Sequence, residues 1–409
     1  MKRLPEKPTT KPTFPEIPYS EYKARIDKAK ELMEKREIDA LLIFDIDNIR
    51  YYTGHIKASY GSTYGWRRGV VIQRDGDVVF VAASEVYRNV QISTWVGDIR
   101  PWGGPEPELR GWPKEHEAVF IEAIKEVQAK RVGAEISDYM KPEITRVEFD
   151  RILKGLPKVE FVDASDLIME QRMIKSKFEQ DIIRELVDKV CRVVGKSIRA
   201  FRPGMTERDL HRMFWLGFVE EGIHEDPMAG RYMMSGPGRY DAYIMGPSNT
   251  SLNKGDTLFI DGGPRFKGYF CDIQRNICIG QPSEIVKKLH RISVEATEAA
   301  LEAVKPGAMA SDVYFAGKKA LKKADPRYEM KFFAGHSIGL YTHELPYLDE
   351  KTDLELKPGM YLAVEVAAPD LDSPVPRCAL MMPEDNLIVT ENGYDNLSQK
   401  LSKDLWIVE

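Results

Sequence analysis

The fold open to this chain is most constrained by acidic residues placed at the ends of, or inside, apolar runs. Phe259–Arg275 reads as two short β-strands joined by a Gly/Pro turn, with Asp261 leaving the first strand and Asp272 on the second. In an antiparallel pair this spacing brings both carboxylates to one end of the ladder, where they repel unless a cation lies between them. Downstream, Leu356–Glu365 ends an apolar strand on a carboxylate, Pro383–Gly393 begins another with Glu384, and His336 and His343 lie beside a Gly-containing turn. Glu365 stands between Val364 and Val366, and a carboxylate inside an apolar strand is costly to bury without a cation. Four carboxylates and a histidine make a hard, oxygen-rich set suited to two divalent ions, Mn, Fe or Co, with Zn a further candidate. No thiol is needed.

The ordered set Asp261, Asp272, His336, Glu365 and Glu384 resembles the ligand set of the pita-bread metallohydrolases. That family includes methionine aminopeptidase, prolidase, aminopeptidase P, creatinase and related dimethylsulfoniopropionate lyases. The likeness extends to Gly255–Asp261, Gly335–Gly339, His343–Pro346, Lys357–Met360, Val364-Glu365 and Glu384-Asp385 with the following Val389–Gly393. It implies that Asp261 binds one metal, that Asp272 and Glu384 bridge both, and that His336 and Glu365 complete the other. In the family's peptidases a bridging hydroxide attacks the scissile amide, and Glu384 belongs to this machinery. His343 is then placed to stabilise the oxyanion or to position substrate. Arg275 would stand behind the ligands as a supporting charge.

Three departures from the family pattern concern the substrate and its surroundings. The loop Ser235–Asn249 has no histidine where the peptidases present one, and Tyr243 or a near neighbour stands there. Leu380-Met-Met-Pro precedes Glu384 in place of Gly-x-Arg, and Gln274 replaces the threonine of Asp-x-Thr-Arg. In the amino-terminal part, Tyr60–Arg68 is an aromatic and basic loop, and the equivalent region of creatinase-like relatives reaches the partner's active site. Tyr64 and Trp66 could hold a cation by their faces and Arg67 a carboxylate, which with Tyr243 makes four candidate substrate contacts.

The rest of the chain reads as two domains. Residues 1–19, with five prolines, read as an extended arm that can pair in neither helix nor sheet. Residues 20–165 alternate helical and strand patterns: a helix capped by Ser20, a strand at Ala40–Phe44, and a hairpin turning at Asp75-Gly76. This α/β domain resembles the amino-terminal domain of creatinase and prolidase, down to Asp39-Ala-Leu-Leu and Tyr51-Tyr-Thr-Gly54. Residues 166–409 open with helices from Lys175 and, capped by Thr206, from Glu207; the resemblance makes this an α+β pita-bread domain with pseudo-twofold duplication.

A net charge of −5 argues against a nucleic-acid or anionic-membrane partner. The four cysteines are scattered, and no apolar stretch approaches the roughly 18 residues of a membrane helix. A cytoplasmic protein is expected, and the resemblance implies a homodimer. Three functions stay open: a dinuclear hydrolase of short Xaa-Pro peptides, a creatinase-like or lyase-like enzyme on a small cationic substrate, and a binding module without catalysis.

Overall fold

The computed structural model describes residues 17–56, 67–104, 115–225, 232–242, 244–330 and 332–409. They pack as two units that divide between Arg172 and Met173. The proline-rich arm up to residue 16, Tyr64, Trp66 and Tyr243 lie outside the described residues.

The first unit is built on β1 (Ala40–Ile43), whose four side chains are all buried. It joins β2 (Arg68–Gln73), β3 (Val78–Ala83), β4 (Asp98–Trp102), β5 (Arg131–Ala134) and β6 (Glu160–Asp163) in one sheet of order β4-β3-β2-β1-β5-β6. β2 and β3 form the hairpin the Asp75-Gly76 turn predicts. β5 and β6 run parallel, joined through helix Arg146–Gly155, as parallel pairing requires a crossover. The expected α/β domain is present. Its first helix, Tyr19–Lys35, begins two residues earlier than a cap at Ser20 predicts: Pro18 occupies the cap position in an extended conformation, and no side chain caps the helix.

The division falls later than 165/166 because helix Ser165–Met173 is bonded into the first unit. Gln171 accepts from the Tyr52 hydroxyl (3.0 Å) and donates to the Arg25 carbonyl (2.8 Å), while Arg172 donates to Asn48 Oδ1 (2.8 Å).

The second unit begins with helices Lys177–Ala200 and Glu207–Glu220, each opened by a capping box, at Ser176 and Thr206. Strands β7 (Met233–Ser235), β8 (Thr257–Asp261), β9 (Arg265–Phe266), β10 (Tyr269–Phe270) and β11 (Arg275–Ile279) follow. The chain then repeats the pattern, with helices Glu284–Ala303 and Ala310–Ala324 leading into β12 (Gly335–Ser337), β13 (Glu344–Tyr347), β14 (Tyr361–Glu365), β15 (Glu384–Thr390) and β16 (Gly393–Asn396). β17 (Trp406–Val408) closes the chain beside β11, giving sheets of order β17-β11-β8-β7 and β13-β12-β14-β15-β16. Two helices then antiparallel strands, twice over, is the duplicated α+β order expected.

One expectation needs correction. Asp272 is not on a strand paired with β8. The small β9–β10 hairpin intervenes, β11 starts only at Arg275, opposite Ile260, and Asp272 lies in the link before it.

The capping box at Ser176 is linked to the interior, because Glu179 both accepts from the Ser176 amide (2.7 Å) and accepts from the buried Tyr269 hydroxyl (2.7 Å). Ser176→Ala should therefore lower the stability of this unit by about 1 kcal/mol, read as an earlier midpoint in chemical denaturation.

Candidate metal centre

Strand register assembles half of the centre. β14 and β15 pair with Glu365 directly opposite Glu384, and β12 pairs with β14 so that His336 faces Ala363. Ala363 and Glu365 are two apart, so His336, Glu365 and Glu384 share one face of the sheet. Like charges directly opposed on a sheet normally destabilise it. Gly335, at φ 141°, makes the approach possible: a Cβ there would lie 2.1 Å from the Ala363 carbonyl oxygen.

The other half comes from the first sheet. Asp261 ends β8, and Asp272 is held by Asn386, two residues beyond Glu384: the Asp272 amide donates to Asn386 Oδ1 (3.1 Å) and Asn386 Nδ2 donates to the Asp272 carbonyl. The Glu384 amide donates to the Gln274 carbonyl (3.3 Å), which ties the link before β11 to the start of β15. From helix Glu284–Ala303, Ser293 donates to the Val366 and Met381 carbonyls (2.6 and 2.9 Å), and Thr297 donates to the Pro383 carbonyl (3.2 Å). These contacts fix the two strand ends on which Glu365 and Glu384 stand.

All five predicted ligands are brought together. Donor atoms of Asp261, Asp272 and Glu384 lie within 4.8 Å of one another, as do those of His336, Glu365 and Glu384, so Glu384 belongs to both triads. A third grouping of Asp272, His336 and His343 brings in the second histidine. Every one of the five is buried, at 1–7% exposure. Asp261 Oδ1, Asp272 Oδ1 and Glu384 Oε2 have no hydrogen-bond partner among the described residues. Buried carboxylate oxygens facing one another without donors fit a pair of divalent cations, and an oxygen-rich set with one imidazole fits hard ions.

The protonation states agree. Burial pushes Asp261 up to about 6, and burial with the Asp261 charge pushes Glu365 up to about 8. Burial and their acidic neighbours hold Asp272 and Glu384 well above the usual carboxylate range. Burial and the neighbouring His343 lower His336 to about 3, which keeps it neutral. Its Nδ1 lies 3.0 Å from the Ser337 carbonyl, an acceptor that requires the proton on Nδ1 and leaves the Nε2 lone pair towards Glu384, 3.8 Å away. A histidine anchored this way is set up as a metal ligand.

His343 stacks on His336, with ring centres 3.7 Å apart, and Phe333 packs edge-on against both. His343, Asp261 and Glu365 also line a cavity of about 500 Å3 within this unit, together with Met233, Phe332 and Leu380. Arg275 is buried behind Glu384, donating to the Glu384 carbonyl (2.6 Å), the Leu401 carbonyl (2.6 Å) and Asp385 Oδ1 (2.8 Å). Although burial raises the Asp385 carboxyl, Arg275 and Lys403 outweigh it and hold the group below its ordinary value. Arg67, in the first unit, is bonded to Glu148 (2.9 Å). Sequence reasoning missed Asn386, Ser293 and Thr297; the position of Asn386 two residues beyond a ligand on the same strand was the one available signal for any of them.

Fold and site together define a class of protein: a duplicated α+β unit whose two halves meet at a carboxylate-rich site fitted to hold divalent metal. Comparison with known proteins makes the assignment. The model of "Metallopeptidase family M24" matches residues 181–391, and that of the "Creatinase/Prolidase N-terminal domain" matches 25–174. The chain belongs to metallopeptidase family M24. It is 31% identical over 313 residues to the probable dipeptidase PepE of Mycobacterium tuberculosis, covering 76% of this chain and 75% of that one. It is 25% identical over 411 residues to creatinase of a Bacillus species, covering 95% and 92%. The solved structure of an Xaa-Pro dipeptidase from Bacillus anthracis matches with a TM-score of 0.80 at 21% identity, over 95% of this chain and all of that one, which shows the shared pita-bread fold.

Without metal, the raised carboxylates bind protons more tightly in the folded than in the unfolded chain. Stability from these groups is then greatest when they are protonated and falls as pH rises from their ordinary values, 3.8 for Asp261 and 4.5 for Glu365, to about 6 and about 8. A chelator-treated sample should melt at a lower temperature at pH 8 than at pH 5.5, and millimolar Mn2+ should restore the loss at pH 8. Calorimetric scans at the two pH values test this.

Proposed function

We propose that the chain is a peptidase that cleaves short Xaa-Pro peptides. The observation that carries this reading is the cluster of buried carboxylate oxygens, unpartnered among the described residues, beside a cavity of about 500 Å3 that Asp261, Glu365 and His343 help to line. Relatives named as a probable dipeptidase and an Xaa-Pro dipeptidase support it.

In this reading Asp261 would hold one ion and His336 with Glu365 the other, with Asp272 and Glu384 shared between them. Such a pair would supply hydroxide near neutral pH and polarise the scissile carbonyl. Glu384, common to both triads, is placed to take up the proton released during attack. His343, on the cavity wall and stacked on a ligand, donates to the developing oxyanion. Arg275 positions Glu384 through its carbonyl and does not meet substrate.

Manganese is the ion we assign first, with iron and cobalt satisfying the same donors. A cytoplasmic setting accords with four free cysteines, and a homodimer completes the proposal. With Arg67 paired to Glu148, a substrate role for it requires exchange of that ion pair.

Asp272→Ala should lose bound metal and all hydrolysis of a peptide such as Leu-Pro-Gly; full activity in a metal-free preparation would rule the mechanism out. His343→Ala should keep its metal content, measured by elemental analysis, while kcat falls about a hundredfold. An unchanged kcat would return His343 to a packing role.

A further inference from the structure

Next to His343 stands a buried carboxylate that belongs to none of the metal groupings, that of Glu344. It opens β13 with its side chain 1% exposed, and the turn before it wraps around that side chain. The Leu340 and Tyr341 amides donate to Oε1 (2.8 and 3.2 Å). Gly339 lies so close that a Cβ there would come within 2.7 Å of Oε2, and the Phe270 amide donates to the Gly339 carbonyl (2.8 Å). The turn that ends on His343 is thus closed on the carboxylate of the next residue.

That carboxylate meets a cation buried just as deeply. Lys175 Nζ lies 3.3 Å from Glu344 Oε2, and its side chain is also 1% exposed. The backbone around Lys175 is fixed. Its amide donates to the Gly359 carbonyl (2.9 Å), Ile174 bridges to Met360 just before β14, and Gln180 Nε2 donates to the Lys175 carbonyl (3.0 Å). The near end of β14 therefore anchors the pair, while its far end carries Glu365. A buried ion pair adds little stability over apolar side chains of the same volume. What this one supplies is a fixed, charged acceptor for two amides at the root of His343. The His343 ring is exposed and stacked on His336, so its place follows the turn that carries it.

Building on the peptidase reading, we propose that Lys175 and Glu344 are positioning residues for His343. The pair clamps the Gly339–His343 turn so that the imidazole stays on His336 at the cavity wall, and neither residue meets substrate.

The test uses the full chain in four forms: native, Lys175→Met, Glu344→Gln and the double variant. Gln keeps an acceptor for both amides, so the double variant removes the charges together and keeps the turn. With Mn2+ and Leu-Pro-Gly, each single variant should lose about tenfold in kcat, with KM and metal content kept, and the double variant should regain most of it. In a His343→Ala background, Lys175→Met should cost no further kcat. Nuclear magnetic resonance of the diamagnetic Zn2+-loaded chain gives a readout free of turnover. The His343 ring signals, assigned by their loss in His343→Ala, should move in Lys175→Met while those of His211 and His290 stay, and should return in the double variant. If Lys175→Met does not fold, Glu344→Gln decides by the same comparisons. Unmoved His343 signals, or a tenfold loss that persists in the His343→Ala background, would overturn the proposal and leave the peptidase reading standing. If the native chain leaves Leu-Pro-Gly uncut, the peptidase reading falls, and the ring signals decide the positioning claim by themselves.

Discussion

The structure depends on one electrostatic problem: Asp261, Asp272, Glu365 and Glu384 are buried within reach of one another, with only the neutral His336 completing the set. Such an arrangement is costly at neutral pH unless protons or cations fill it. Raised carboxyl pKa values and unpartnered oxygens are two signs of the same strain. Divalent ions remove both. The cost of building the site is thus the source of its affinity for metal.

Much of the second unit keeps those carboxylates from moving apart. Asn386 clamps the backbone of Asp272, Ser293 and Thr297 hold the ends of β14 and β15, and Arg275 bonds the Glu384 carbonyl from behind. Arg275 is itself balanced by Asp385, which also accepts from Lys403 and Asn396, so this buried cation is paired. A buried pair of this kind adds less to stability than to position, and here the position it fixes is that of the ligand shared by both triads.

The proposed ligands were legible in the sequence because each carboxylate that borders a strand interrupts an apolar pattern, and Glu365 and Glu384 take their opposed register from strands that pattern already revealed. Asp272 was legible as a proposed ligand but was misplaced on a strand, since two-residue strands such as β9 and β10 leave too short a pattern to read. Ser293 and Thr297 could not be assigned, because their partners lie 69 to 88 residues away and nothing local marks them, while Asn386 was marked only by its place two residues beyond Glu384. The helix cap at Thr206 was readable from short-range chemistry, whereas Pro18 displaced Ser20 through backbone shape alone. The α/β order of the first unit followed from its alternating pattern, while its edge with helix Ser165–Met173 was set by distant bonds to Arg25, Asn48 and Tyr52.

The departures at Leu380–Pro383 and Gln274 now divide by position. Leu380 and Met382 form apolar wall beside the metal centre, while the Gln274 side-chain amide, in the link after Asp272, is buried without a partner among the described residues. The ligand set is kept and its surroundings are this chain's own. The most direct measurement of the central claim is a calorimetric titration of the metal-stripped protein with Mn2+ near pH 7, repeated in buffers of different ionisation enthalpy. Uptake of two ions per chain with release of protons is the result expected, since carboxyls held protonated by burial must give them up to bind metal. Failure to take up divalent metal, or uptake without proton release, would contradict the account.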